Sequence, residues 1–119
     1  MEKSRLLLWD IDGTLILGGS AGGRALKRYF RDRYGWDDLG KALVVHGMTD
    51  PGIVEGIFSH FGHEAKPGEI QQVLSDYVQM MREHREGFES SRTLPGVPDI
   101  LKVPEGHGVC RQGLLTGNV

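Results

Sequence analysis

Two aspartates, Asp10 and Asp12, stand one residue apart in the stretch LLLWDIDGTL, directly after four large apolar residues. Side chains two positions apart on an extended chain point to the same side. Two neighbouring carboxylates repel each other unless one takes up a proton or a cation holds the pair, so the pattern indicates a hard divalent cation of the Mg²⁺ type. Gly13 permits a sharp turn, and Thr14 can hydrogen-bond within it. Together these residue types suit phosphoryl chemistry.

The apolar run from Leu6 to Trp9 predicts a β-strand that ends at the two aspartates. A continuous apolar run is typical of a parallel sheet that is buried on both faces. A second strand is predicted from Val109 to Thr116, where the chain continues with Gly-Asn. The long connection between the two strands favours a parallel pair. In open parallel sheets ligands bind beyond the carboxyl ends of the strands, which is where the aspartates fall.

The segment between the two strands has apolar residues at helical spacing. Three amphipathic helices are predicted in order: residues 20 to about 35, a segment that starts at Thr49 or Asp50, and residues 69 to about 87. A short helix is predicted over residues 97–102. We therefore expect a discontinuous α/β core of residues 1–18 and 93–119, interrupted by a helical cap of residues 19–92.

The composition favours one domain with an insert and names no macromolecular partner. The 119 residues include 14 Lys plus Arg against 16 Asp plus Glu, so no charge excess points to nucleic acid or to an anionic membrane. The single cysteine, Cys110, cannot form an internal disulfide, and we expect it to be a buried small side chain. The first apolar run is broken at Asp10, too early for a signal peptide or a spanning helix. We expect a cytoplasmic protein.

Three stretches resemble one family in the order in which that family carries them. LLLWDIDGTL resembles the first signature of the haloacid dehalogenase superfamily, a hydrophobic strand followed by D-x-D-G-T. The stretch Leu114–Asn118, LLTGN, is similar to the second signature, a hydrophobic strand ending in Thr or Ser. Gly47–Asp50, GMTD, is similar to a stretch in the helical caps of the phosphoglycolate-phosphatase-like branch. The resemblance spans essentially the whole chain and implies a partial Rossmann-like parallel sheet with an inserted helical cap.

The resemblance also implies roles for individual residues. Asp10 would be the nucleophile that attacks a small phosphorylated metabolite and forms an aspartyl-phosphate. Asp12 would protonate the leaving alcohol and later activate water. Mg²⁺ would be held by the Asp10 carboxylate and the Asp12 main-chain carbonyl. Thr116, with the main-chain amides of Gly117 and Asn118, would hold the phosphoryl oxygens.

The sequence also departs from the family's pattern. The third and fourth signatures, a Lys or Arg and an acidic pair, follow the second one in the family, whereas this sequence stops at Val119. The resemblance is therefore to a chain truncated after the second motif, which we expect to be poorly stable alone because its first strand keeps an open apolar edge. A phosphomutase of the same superfamily and a non-catalytic half-protein that binds a partner are the alternatives. The phosphate ester and the oligomeric state are not predicted. His60 and His63 are expected to form a surface pair.

Overall fold

The computed structural model describes residues 4–18, 21–106, 108 and 110–118. In chain order the strands and helices are β1 Arg5–Trp9, β2 Ile16–Leu17, α1 Ala21–Tyr34, α2 Asp50–His60, α3 Glu69–Glu83, β3 Arg92–Thr93, α4 Val97–Lys102 and β4 Cys110–Leu114. Short 3₁₀ helices lie at Gly40–Ala42, Arg85–Phe88 and Val103–Gly106. Within the described part of the chain, no helix has the length and apolar character needed to cross a membrane.

The chain divides into two compact units. The sheet unit consists of Met1–Gly19 and Ser90–Thr116, and the helical unit consists of Ser20–Glu89 and Gly117–Val119. The predicted core, 1–18 and 93–119, differs from the sheet unit mainly at its last segment, because Gly117 and Asn118 pack with the helices. The domain boundaries themselves stay a prediction.

The sheet unit is built on a parallel pair of strands. β1 pairs with β4 so that Arg5 lies opposite Cys110 and Trp9 lies opposite Leu114. A short antiparallel pair, β2 with β3, closes the loop after β1, and the Leu94 amide donates to the Leu15 carbonyl at 3.0 Å. The predicted fold class is confirmed: an α/β chain with parallel strands, and three helices inserted between them in sequence.

One face of the β1–β4 pair is open within the sheet unit. Alternation places Leu6 and Leu8 on the same face, and their side chains are 64% and 53% exposed. On the opposite face, Trp9 Nε1 donates to Gln112 Oε1 at 2.9 Å, and Gln112 Nε2 donates to the Leu101 carbonyl of α4 at 3.0 Å. The predicted burial of β1 on both faces is wrong, because Leu6 and Leu8 are exposed on one face and α4 covers the other only in part, leaving Leu7 38% exposed.

The hydrophobic core lies in the helical unit. Its innermost side chains come from all three helices and from the turn after α1: Phe30, Leu39, Val54, Ile57 and Val73. A group of aromatic rings extends this core towards the end of α2, where Trp36 stacks on Phe61 with ring centroids 4.3 Å apart. The amphipathic stripes predicted for the three helices therefore do face one another.

A carboxylate at the start of α3 ties the helices together through polar bonds. The Glu69 carboxylate accepts hydrogen bonds from the Lys66 amide at 2.8 Å, the Tyr34 hydroxyl at 2.8 Å and His63 Nε2 at 2.9 Å. These bonds, led by the one from the Lys66 amide, lower the pKa of Glu69 to about 2. Burial and the Glu69 carboxylate raise the pKa of Tyr34.

The expected surface pair of histidines is not formed. His60 is exposed, but the His63 ring packs against Phe58, with centroids 4.6 Å apart, and is half-buried beside Glu69. The reason is the turn at Gly62, which has a φ of +63° and ends α2 before His63 could lie on the helix surface.

The location of the core predicts unequal costs for two truncations to alanine. Phe30→Ala removes a fully buried ring and should lower the free energy of unfolding by about 3–5 kcal/mol. Leu8→Ala removes a side chain that is more than half exposed and should cost about 1 kcal/mol or less. Urea unfolding followed by far-UV circular dichroism measures both. Equal losses for the two variants would contradict this placement of the core.

The Glu69 site predicts a specific acid sensitivity. Since the pKa of Glu69 is lower in the folded chain, about 2, than its ordinary value of 4.5, its contribution to stability is present above pH 4.5 and is lost as the pH falls towards 2. Glu69→Gln should flatten the fall in melting temperature over this range. Glu64→Gln is the control, because Glu64 is exposed in the same turn. A steep fall that persists unchanged in Glu69→Gln would refute the assignment.

Candidate active site

Asp10 is the first residue after β1, and a tight loop holds its carboxylate. The Thr14 hydroxyl donates to Asp10 Oδ2 at 3.0 Å. The Ile11 carbonyl accepts from the amides of Leu15 at 2.9 Å and Ile16 at 3.1 Å, which folds residues 11–16 into a compact turn. The carboxylate is exposed. Asp10 is therefore accessible to a ligand and fixed in orientation from one side.

The turn depends on the conformation of Gly13. Its φ is +78°, in the left-handed region, and its amide donates to the Ile16 carbonyl at 2.8 Å. A side chain at this φ is strained, so glycine is the residue that lets β1 end and the loop reverse immediately. The predicted sharp turn is confirmed.

Asp12 lies in the same loop and is also exposed. It forms a bridge with Ile16, which sets the end of the loop before β2. Its Oδ1 atom lies 3.9 Å from the position that a Cβ on Gly18 would occupy, so the chain after β2 passes near the carboxylate. The roles given to Asp10 and Asp12 stay predictions, but both side chains lie on the loop that leaves the carboxyl end of β1.

Thr116 follows β4 at the same edge of the sheet. The Leu115 amide donates to the Trp9 carbonyl at 2.8 Å, which continues the parallel ladder one step beyond Leu114. Asp10 follows Trp9 and Thr116 follows Leu115, so both residues lie just beyond the carboxyl ends of neighbouring parallel strands. This is the edge at which open parallel sheets bind ligands.

Gly117 and Asn118 complete the predicted phosphate-binding stretch, and they belong to the helical unit. The Gly117 carbonyl accepts a hydrogen bond from the Asp50 amide at 2.9 Å. The segment Gly47–Asp50, which the sequence singled out only by resemblance, thus contacts the residues that follow Thr116.

The hydrogen-bond partner of Thr14 is a feature of the site that the sequence did not predict. The sequence indicated that Thr14 would hydrogen-bond within the loop, but not that its partner is the Asp10 carboxylate. A hydroxyl residue four positions after the first aspartate was the available signal. Its partner is set by the turn at Gly13, which brings position 14 back over position 10.

The donor atoms suit Mg²⁺ in part. Mg²⁺ is commonly held by one or two carboxylates together with waters and substrate phosphate oxygens. Asp10 and Asp12 supply two carboxylates in one loop, which fits this pattern. Over residues 4–18, 21–106, 108 and 110–118, no group of three or more His, Cys, Asp or Glu side chains is arranged to hold a metal ion.

The fold matches solved structures at low sequence identity. The sequence matches no protein-family model and no curated protein. CbbY from Rhodobacter sphaeroides, in complex with phosphate, matches with a TM-score of 0.71 and 18% identity over 98% of this chain and 52% of CbbY. A CbbY variant with one Asp-to-Asn substitution, in complex with xylulose-(1,5)bisphosphate, matches at 0.63 and 19% over 95% of this chain and 51% of the variant.

A third match is a predicted phosphoglycolate phosphatase from Haemophilus somnus 129PT, with a TM-score of 0.65 and 15% identity over 100% of this chain and 54% of that protein. The chain thus spans about half the length of the structures it matches. Its fold matches part of each of these structures, which confirms the predicted α/β fold.

The loop geometry predicts that alanine and asparagine at position 13 destabilise the loop to different degrees. Gly13→Ala should destabilise the loop by about 1–2 kcal/mol, because alanine is strained at a φ of +78°. Gly13→Asn should cost less, since asparagine enters the left-handed region more readily. Amide hydrogen exchange of Leu15 and Ile16, which donate to Ile11, measures the effect. Equal protection in the alanine variant and the parent chain would contradict the proposed strain.

Proposed function

We propose that the chain carries part of the active site of a Mg²⁺-dependent phosphatase that hydrolyses a small phosphomonoester. The observation that carries the proposal is the parallel register of β1 and β4, continued by the Leu115–Trp9 bond, which brings Asp10 and Thr116 to one edge of the sheet. Asp10 and Thr116 belong to the two stretches that resemble the first and second signatures of the haloacid dehalogenase superfamily. The fold of the matched structures supports the same assignment.

In the proposed reaction an Asp10 carboxylate oxygen attacks the phosphorus atom, and the bond from phosphorus to the alcohol oxygen breaks. Asp12 donates a proton to the leaving alcohol. Asp12 then takes a proton from water, whose oxygen attacks the phosphorus atom and releases phosphate from Asp10. The Thr14 hydroxyl keeps the Asp10 carboxylate in one orientation during the attack, since it already donates to Oδ2.

The phosphoryl oxygens are assigned to the Thr116 hydroxyl and to the main-chain amides of Gly117 and Asn118. Donors fixed in place before the reaction stabilise the charge that develops on these oxygens. The Asp10 carboxylate and the Asp12 carbonyl are assigned to Mg²⁺, which when bound screens the negative charge of the phosphate from that of the nucleophile. The cytoplasmic location stays a prediction.

The substrate class rests on what the matched structures contain. CbbY holds phosphate in one structure, and its variant holds xylulose-(1,5)bisphosphate in another. These ligands support a small phosphorylated metabolite as the substrate of this chain, without selecting one ester.

The test is release of phosphate from para-nitrophenyl phosphate by the 119-residue chain. We expect Mg²⁺-dependent turnover that Asp10→Asn abolishes, because an amide cannot attack phosphorus as a carboxylate does. Asp38→Asn is the matched control, since Asp38 is an exposed aspartate of the helical unit. Turnover that survives in Asp10→Asn would overturn the nucleophile assignment. Isomerisation of a sugar phosphate without net release of phosphate would favour the phosphomutase.

The open sheet face favours a second candidate function, that of a half-protein. Leu6 and Leu8, with Leu115 at 61% exposure, are apolar side chains that the sheet unit itself leaves uncovered. Parallel sheets are normally covered on both faces.

If the chain binds a further α/β segment on this open sheet face, Leu8→Lys should abolish binding and leave the helical unit folded. Analytical ultracentrifugation of the parent and variant chains separates this function from a self-sufficient enzyme.

A further inference from the structure

The peptide that joins Gly117 to Asn118 is held by the start of α2. The Gly117 carbonyl accepts from the Asp50 amide at 2.9 Å. The other amides of the first turn of α2 also have partners. The Gly52 amide donates to Thr49 Oγ1 at 3.2 Å, and the Ile53 amide donates to the Thr49 carbonyl at 2.9 Å. Pro51 has no N–H. The Gly117 carbonyl therefore completes the cap of α2.

The contact is close enough to require glycine at position 117. A Cβ on Gly117 would lie 2.9 Å from Thr49 Cα and 3.2 Å from the Met48 carbonyl oxygen. These are main-chain atoms, which cannot move aside as the end of a flexible side chain can. The packing and the hydrogen bond thus fix the same peptide from two directions.

Because the Gly117 carbonyl is held in place, the orientation of the Asn118 amide in the same peptide unit is set as well. Because the peptide unit is planar and trans, the Asn118 N–H points away from the Gly117 C=O within the same plane. The chain contains no cis peptide in its described residues. The bond from Asp50 therefore sets the direction in which the Asn118 N–H points.

We propose that the main-chain amide of Asp50 is a positioning group that orients the Asn118 N–H for a phosphoryl oxygen. This inference rests on the proposed function, which assigns that N–H to the phosphate. It gives the GMTD stretch a role that depends on its main chain and on its close approach to Gly117. A donor already oriented before binding loses less entropy when the anion arrives, so the anchored peptide should bind phosphate more tightly.

A proline at position 50 removes the amide hydrogen and places the ring Cδ where that hydrogen pointed at the Gly117 carbonyl, so it abolishes the contact. Asp50 is the first residue of α2, where the φ of proline is already suitable, and Thr49 has a ψ of 155°, which a following proline requires. Asp50→Pro removes the N–H and the carboxylate, whereas Asp50→Ala removes the carboxylate alone. A comparison of the two variants separates the loss of the carboxylate from the loss of the contact between the nitrogen at position 50 and the Gly117 carbonyl, whatever contacts the carboxylate makes.

Two quantities are measured by NMR. The first is the ¹⁵N order parameter of the Asn118 amide without ligand, and the second is the change in the chemical shift of that amide on titration with inorganic phosphate and Mg²⁺. Asp50→Pro should lower the order parameter below that of Asp50→Ala and weaken phosphate binding about five- to tenfold, the effect of one lost hydrogen bond. Gly117→Ala should reproduce both effects with the Asp50 amide intact, since its Cβ must push the peptide away from Thr49. This variant keeps the test decisive if proline disturbs α2.

Three results would overturn the inference. Equal order parameters in the proline and alanine variants would show that the Asp50 amide does not hold the peptide. A lower order parameter with unchanged phosphate affinity would show that the held amide does not serve the phosphate. No response of Asn118 to phosphate in the parent chain, with an order parameter that still falls in Asp50→Pro, would locate the failure in the proposed phosphate site and remove the positioning role with it.

Discussion

The parallel register of β1 and β4 is the constraint on which the candidate site depends. The hydrogen bonds of a strand fix the position of the residues that directly follow it. Because Trp9 lies opposite Leu114 and its carbonyl accepts from Leu115, Asp10 and Thr116 leave the sheet side by side, although they are 106 positions apart in the sequence. A shift of one residue in this register would turn the side chains of β4 to the opposite face.

The two units differ in how they are stabilised. The helical unit buries large side chains from three helices and adds the carboxylate network of Glu69 between them. The sheet unit has two paired main strands and one covering helix, and it leaves Leu6 and Leu8 exposed. Parallel sheets are normally covered on both faces, so the sheet unit lacks a covering layer that the helical unit does not need.

Glycine has two distinct physical roles near the site. At Gly13 the requirement is conformational, because the backbone adopts a φ of +78° to leave β1 and turn at once. At Gly117 the requirement is steric, because the main chain of Thr49 approaches too closely for a Cβ. Both glycines stand beside residues assigned to chemistry, so the backbone itself is part of what positions those residues.

Local patterns in the sequence determined the elements and the order of the motifs. The apolar run before Asp10, the helical stripes and the Thr49–Pro51 start signal of α2 each act within a few residues of one another, and each produced the expected element. Tertiary structure alone decided the contacts between distant segments. It exposed Leu6 and Leu8, packed the His63 ring against Phe58, directed the Thr14 hydroxyl to Asp10 and joined Asp50 to Gly117. Such contacts depend on which distant segments meet, and hydrophobic periodicity within one segment does not specify its partner.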